Sequence, residues 1–147
     1  MAMPYERATS GKAALDEMQK ILRAFGATSF GCMENFEQGT VLIQFEHHGR
    51  KVTLTASAKG YAAAWLRKYP FGPRMKGTKA AYEQKALNLG QVAVYSILRD
   101  WIKGQVTAVE CDVLSFEAAF LGQILLPSGQ TVHQHVAASK LLALAAP

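Results

Sequence analysis

The first helical pattern in the chain lies close to its start. Apolar residues recur there at intervals of three and four positions, which predicts an amphipathic helix whose buried side carries Leu15, Met18, Leu22 and Phe25. Ser10 stands where an N-cap is expected, and Gly26 stands where a helix commonly ends in a left-handed residue. Residues 1–8 have no such pattern and are predicted to form a mobile leader.

Three runs with the character of strands follow this helix. They are rich in β-branched residues and read TSFGCM from Thr28, TVLIQFEH from Thr40 and KVTLTAS from Lys51. Apolar and polar residues alternate in the second and third runs, which is typical of a half-buried antiparallel sheet. The short connection His47-His48-Gly49-Arg50 predicts a tight hairpin in which Gly49 supplies a positive φ.

After Ser57 the period changes from two to about 3.6, so the rest of the chain is predicted to be helical. A short helix runs to about Tyr69 and ends at the loop PFGPRMKG. Thr78 then caps a long segment to about Glu110, interpreted as one helix or two because Gly90 and Gly104 lie inside it. Further helices are predicted from Ser115 to about residue 127 and, through a T-x-x-Q capping box, from Thr131 to about residue 145.

These elements predict an α+β fold made of an N-terminal helix, a three-stranded antiparallel meander and a helical C-terminal half. We expect a single domain over residues 1–147, with an αβββα part at 10–69, a Pro/Gly loop at 70–77 and a helical part at 78–145. A chain of 147 residues, half of them apolar, has enough material for one core. No apolar run approaches the length that crosses a bilayer, so we expect a cytoplasmic protein without a membrane partner.

The positive charge is concentrated in one part of the chain. The formal net charge is +5, but residues 50–85 hold nine basic residues and one acidic residue, a local excess of eight, whereas the flanking parts are slightly acidic. Aromatic residues are interleaved with these cations, a combination suited to phosphates and exposed bases, although aromatics at helical spacing also serve as core. The predicted nucleic-acid-binding residues are Arg50, Lys51, Lys59, Arg67, Lys68, Arg74, Lys76 and Lys79.

No specific catalytic motif or cofactor fingerprint stands in the sequence, so we predict no catalytic residue and no cofactor. The histidines form two pairs, His47-His48 and His133-x-His135, and the second spacing cannot hold one ion on a helix. Zinc would require the two pairs to meet, so the prediction is solvent-exposed histidines and no metal site. Cys32 and Cys111 lie far apart in the sequence and are expected to be reduced and buried.

Two stretches resemble known proteins. The order helix, three strands, helix over residues 10–69 is similar to that of double-stranded-RNA-binding domains, although the segment ASAKGYAAA supplies only Lys59 where that family has a lysine cluster. Residues 96–132 combine L-x-D-W-x-K-x-Q, S-F-E-x-x-F-L and G-x-T-V, and this pattern resembles uncharacterised small proteins of phages and other mobile elements. The second resemblance implies a biological context and no activity.

The function that these features favour is a non-catalytic nucleic-acid-binding accessory protein of phage or mobile-element origin. The alternative is a protein-interaction module, such as an inhibitor or accessory subunit acting on a host protein, and a small metal-dependent nuclease is the third hypothesis. The helical half also offers apolar positions, including Leu98 and Trp101, for a homodimer.

Overall fold

The computed structural model describes residues 1–142. Its elements follow in chain order, as helix α1, strands β1, β2 and β3, and helices α2 to α5. Their bounds are α1 Gly11–Phe25, β1 Ser29–Asn35, β2 Thr40–His47, β3 Arg50–Ser57, α2 Ala58–Lys68, α3 Lys79–Glu110, α4 Phe116–Phe120 and α5 Val132–Ala138. A short 3₁₀ turn, Leu121–Gln123, follows α4 directly. The predicted α+β class is confirmed, with an N-terminal helix, three antiparallel strands and a helical C-terminal half.

Helix α1 begins and ends where the sequence predicts. The Ser10 side chain accepts a hydrogen bond from the Ala13 amide, and Gly26 adopts a left-handed φ of 103° that closes the helix. Met18 and Leu22 are fully buried, so one side of α1 belongs to the core.

The strands form a meander in the order β1-β2-β3. In β2 the buried residues are Val41, Ile43, Phe45 and His47, in strict alternation with half-buried ones. The β2–β3 connection has two residues, and both His48 (φ 48°) and Gly49 (φ 78°) are left-handed, as a type I′ hairpin requires. The Gly49 prediction holds, and His48 adds a second positive φ.

Helix α3 is one continuous helix of 32 residues, about 48 Å long at 1.5 Å per residue. Small residues line its contact with α2: Ala86, Gly90 and Ala93 are buried on α3, and Ala58 and Ala62 on α2. A Cβ atom at Gly90 would lie 2.6 Å from the Ala58 carbonyl oxygen, so glycine there permits close approach of the two helices. A Cβ atom at Gly104 would have no other atom within 4 Å, so this glycine faces open space.

The C-terminal part departs from prediction in the length of its helices. Helix α4 has only five residues, because after the 3₁₀ turn Ile124 pairs with Val52 at the edge of β3, and the Leu125 amide donates to the Lys51 carbonyl. Helix α5 begins with the predicted capping box between Thr131 and Gln134. It ends at Ala138 rather than 145, and positions 143–147 of the predicted segment lie outside the described residues.

The prediction of a mobile leader is wrong, because each of residues 4–6 takes part in a hydrogen bond that involves a tyrosine hydroxyl. Tyr61 Oη donates to the Pro4 carbonyl, Tyr5 Oη donates to Asp100 Oδ2 (2.6 Å), and Tyr69 Oη donates to Glu6 Oε1 (3.0 Å). The segment therefore packs against α2 and α3.

One core cluster joins α1, the sheet, α3 and α4, and its largest fully buried side chains include Phe45 and Phe120. A second, smaller cluster consists of Ala62, Trp65 and Ala86, with Tyr69 and Tyr82 packed against it. No helix within residues 1–142 combines the length and apolar character needed to cross a membrane.

The two glycines of α3 should respond oppositely to alanine. Gly90→Ala should lower the free energy of unfolding by about 1–3 kcal/mol, because its Cβ would collide with backbone that cannot move aside. Gly104→Ala should raise it by about 0.5–1 kcal/mol, because the site is open and alanine is the better helix former. Urea unfolding of both variants measures the two changes. Equal effects of the same sign would contradict the close α2–α3 contact.

Candidate nucleic-acid interface

Five of the predicted site residues lie at the turn from α2 into α3, and we call this set the basic corner: Arg67, Lys68, Arg74, Lys76 and Lys79. Helix α2 ends there because Pro70 cannot continue it, and Thr78 opens α3 by accepting a hydrogen bond from the Ala81 amide. Tyr82 Oη on α3 donates to the Tyr69 carbonyl (2.6 Å). This bond ties the first turn of α3 to the end of α2 and holds the connection in place.

The basic corner contains five cations, and the acid at its border is Glu6, which accepts from Tyr69 Oη. All five side chains are exposed, and none of them forms a salt bridge within residues 1–142. No acidic residue stands between 67 and 79. The N-terminus of α3 also lies here without an acidic residue in its first turn, so the helix dipole adds to the positive potential.

Arg50 and Lys51 lie away from the corner, at the start of β3. The neighbouring α4 marks their position, because its Phe120 packs on Trp101, which lies 22 residues or about 33 Å along α3 from Lys79 of the corner. Arg50 forms an ion pair with Glu117 of α4 and stacks over the Phe116 ring, 5.7 Å from its centroid. The structure therefore does not bring all eight predicted residues onto one surface.

Lys59 has a local structural contact. Its Nζ donates to the Glu37 carbonyl (2.7 Å), and its alkyl stem lies directly over Gly39 in the β1–β2 turn. The Ala58 and Lys59 amides also donate to the Gly39 carbonyl, so the start of α2 is fastened to this turn.

The interleaved aromatic residues mostly pack beneath the corner. Trp65 is only 7% exposed and lies 5.2 Å from Tyr69 and 5.4 Å from Tyr82, measured between ring centroids. Phe71 is half-buried against Tyr82. A groove of about 240 Å³ opens beside these rings, and it is lined by Leu66, Pro70, Phe71, Lys79, Tyr82 and Glu83. These aromatic side chains therefore pack under the loop that carries the cations, and their ring faces are largely covered.

The histidine pairs lie in two different settings. The prediction of exposed histidines is wrong for His47, which is buried: its ring stacks on Phe25 (4.2 Å) and lies beside Phe116 (5.0 Å), whereas His133 and His135 are exposed on α5. Among the 142 residues described, no three His, Cys, Asp or Glu side chains cluster as metal ligands would. The nuclease hypothesis gains no support from this part of the chain.

The prediction that both cysteines are buried is wrong. Cys111 is exposed after α3, whereas Cys32 on β1 lies beside Tyr95, with Sγ 3.6 Å from its Oη. Tyr95 also donates to Glu34, and burial, followed by this hydrogen bond, raises the pKa of the Tyr95 hydroxyl.

A cavity larger than the 240 Å³ groove lies away from the basic corner. It has a volume of about 630 Å³ and lies between the N-terminal segment, the start of α1 and the middle of α3. Sequence analysis missed it because its walls meet through contacts such as Tyr5 to Asp100, which no local periodicity signals.

Comparison with known proteins finds no matching family model, curated protein or solved structure. The resemblances to mobile-element proteins and to double-stranded-RNA-binding domains therefore stay predictions.

The His47 stack should make stability depend on pH. Burial, followed by the neighbouring His48 charge, lowers the pKa of His47 from its ordinary value of 6.5. The unfolded chain then binds more protons than the folded one below about pH 6.5, so the free energy of unfolding should fall as pH drops from there towards the folded-state pKa. Urea midpoints measured across this range should show the loss in the wild type and not in His47→Phe.

The exposed His133→Gln variant is the control and should keep the wild-type pH dependence. Carboxylates with lowered pKa values, such as Glu117 beside Arg50, lose their contribution only at more acidic pH. An unchanged pH slope in His47→Phe would contradict this assignment.

Proposed function

We propose that the chain binds nucleic acid through the basic corner and acts as a non-catalytic accessory protein. The observation that carries the proposal is the run of five exposed cations and no acid within residues 67–79. Cationic side chains that neutralise phosphates release condensed counterions, and this release supplies most of the affinity of sequence-independent binding.

The contacts at the corner favour recognition of the sugar-phosphate backbone over recognition of bases. Lysine and arginine side chains on a loop reach phosphates at many orientations, whereas base reading needs an element that enters a groove or rings that are free to stack. Trp65, Tyr69 and Tyr82 are engaged in packing, which leaves only the half-buried Phe71. We therefore infer binding with little sequence preference.

The mobile-element context is part of the proposal and rests on the pattern in residues 96–132. An acidic host protein is the other class of partner that the same cations fit. Recovery of partners by the tagged full chain, with and without nuclease treatment, distinguishes the two. Partners lost after nuclease treatment support nucleic-acid binding, and a direct protein complex that withstands it favours the interaction module.

Replacement of three corner cations should weaken binding to any oligonucleotide. The variant Arg74→Gln/Lys76→Gln/Lys79→Gln tests this with duplex DNA. Its slope of log affinity against log salt concentration should be shallower than that of the wild type by about 3, because each lost phosphate contact reduces the slope by about 0.9. Fluorescence anisotropy with labelled duplexes of two unrelated sequences, from about 50 to about 200 mM salt, measures both slopes. The two sequences should lose affinity equally.

A matched control removes the same charge elsewhere. Lys20→Gln/Arg23→Gln/Lys103→Gln takes three exposed cations from α1 and the C-terminal part of α3. It should keep a slope close to that of the wild type, because these residues lie outside the corner. Equal losses in both triple variants would mean that net charge, not the corner, determines binding, and the proposal would fail.

A further inference from the structure

Strand β1 is an uncovered edge of the sheet. The strand order is β1-β2-β3, so within residues 1–142 only one side of β1 is bonded to another strand. The chain covers part of the opposite edge itself, because Ile124 pairs with Val52 and the Leu125 amide donates to the Lys51 carbonyl. Natural proteins commonly protect a free edge with lysine, proline or a bulge. The β1 sequence SFGCMEN contains neither residue, and its register with β2 is uninterrupted.

The register shows which main-chain groups of β1 face outward. His47 and Arg50 close the two-residue hairpin as a hydrogen-bonded pair, and such pairs alternate along an antiparallel ladder. Alternate residues of β1, beginning with Ser29, therefore bond to β2. No turn, loop or cap hydrogen bond within residues 1–142 uses the main-chain groups between them. The groups left facing outward are the amides and carbonyls of Phe30, Cys32 and Glu34.

An added strand has space on both faces of this edge. On the face away from the helices, a groove of about 360 Å³ runs along Gly31, Met33 and Leu42. On the face towards α1, a second groove of about 420 Å³ lies between Arg23 and Phe30. Side chains of a strand point alternately to the two faces, so both sets of an incoming strand can be accommodated.

A second copy of the chain fits this edge, because β1 can pair with itself. Two β1 strands related by a two-fold axis run antiparallel. The symmetric register that pairs all seven residues places Cys32 opposite the partner's Cys32, and Phe30 opposite the partner's Glu34. These are the same residues whose main-chain groups face outward, so each pair can form two hydrogen bonds.

Side chains and charges also suit this register. Met33 is 68% exposed, and a Cβ atom at Gly31 would have nothing within 4 Å. Met33 lies opposite the partner's Gly31 in a non-hydrogen-bonded pair, where the two strands approach most closely, so each methionine covers open strand of the other copy. The two Glu34 carboxylates are four residues, about 13 Å, apart along the strands, whereas a register that paired them directly would oppose like charges.

We propose that two copies of the chain join β1 to β1 in this register, so that the two sheets become one continuous antiparallel sheet. A contact of seven strand residues a side is smaller than a standard interface, which uses about 20–30 residues a side. The dimer therefore forms in a concentration-dependent way. This surface is separate from the basic corner, and the proposal does not depend on the proposed nucleic-acid function.

Sedimentation of the full chain, freed of nucleic acid, tests the dimer from micromolar to millimolar concentration. The average mass should rise towards twice that of the chain, under reducing conditions that keep the exposed Cys111 from cross-linking. Hydrogen exchange locates the contact. The amides of Phe30, Cys32 and Glu34 should exchange more slowly as concentration rises, whereas the Thr55 amide of β3, at the other edge of the sheet, should not change.

Isotope-filtered NMR of a mixed labelled and unlabelled sample tests the register. In a non-hydrogen-bonded antiparallel pair, the α protons of the two facing residues are in close contact. Cross-peaks between the α protons of Gly31 and the partner's Met33 are therefore expected in the dimer.

Met33→Asp should raise the dissociation constant of the dimer about tenfold or more. Every dimer would lose two covered methionine side chains and gain two carboxylates near Glu34. The matched control is Val113→Asp, since Val113 is 71% exposed after α3, and it should leave dimerisation unchanged. Thermal unfolding of both variants measures whether the fold is intact.

A chain that stays monomeric at millimolar concentration would overturn the proposal and would leave this edge to a strand of a different protein. A dimer whose three outward-facing β1 amides exchange as fast as in the monomer would also overturn it. An unchanged dissociation constant in Met33→Asp would do the same.

Discussion

The rest of the structure depends on the close contact between α2 and α3 at Gly90. Because residue 90 has no side chain, the Ala58 carbonyl approaches α3 to a distance that a Cβ atom would prevent. Small residues before and after it, including Ala62 and Ala86, continue the contact. Dispersion and burial along such a dense interface stabilise it, although each residue is small. The direction of α2 is thereby set, and with it the position of the loop that carries the cations.

The second core cluster connects this helix contact to the basic corner and to the N-terminal segment. Trp65 packs between the two helices, while Tyr69 and Tyr82 direct their hydroxyl groups outward to Glu6 and to the α2 carboxyl end. The same few aromatic residues therefore hold the basic corner on one side and the N-terminal segment on the other. A buried ring with a polar edge suits this task, since it contributes apolar area and still makes a directed bond.

Local signals predicted most of the fold, and contacts distant in sequence account for what they missed. The caps at Ser10, Thr78 and Thr131 are properties of three or four neighbouring residues, so sequence shows them directly. The short α4 is different, because Ile124 leaves the helical path to pair with Val52, more than seventy positions earlier. The same holds for the charges: the sequence shows which residues are basic, but it does not show that Arg50 pairs with Glu117, because the two are 67 positions apart.

That pairing changes the meaning of the local charge. The net excess of eight positive charges over residues 50–85 counts every cation equally. In the structure, however, Arg50 is neutralised by Glu117, and Lys59 is bound to the Glu37 carbonyl. Screening at physiological salt limits exposed charges to about 8 Å, so cations at opposite ends of β3 do not act on one phosphate. The five cations of the basic corner lie on one connection, beside the positive end of the α3 dipole. The local positive charge of the corner therefore comes from this arrangement, and the same five charges spread over the surface would produce a much weaker field.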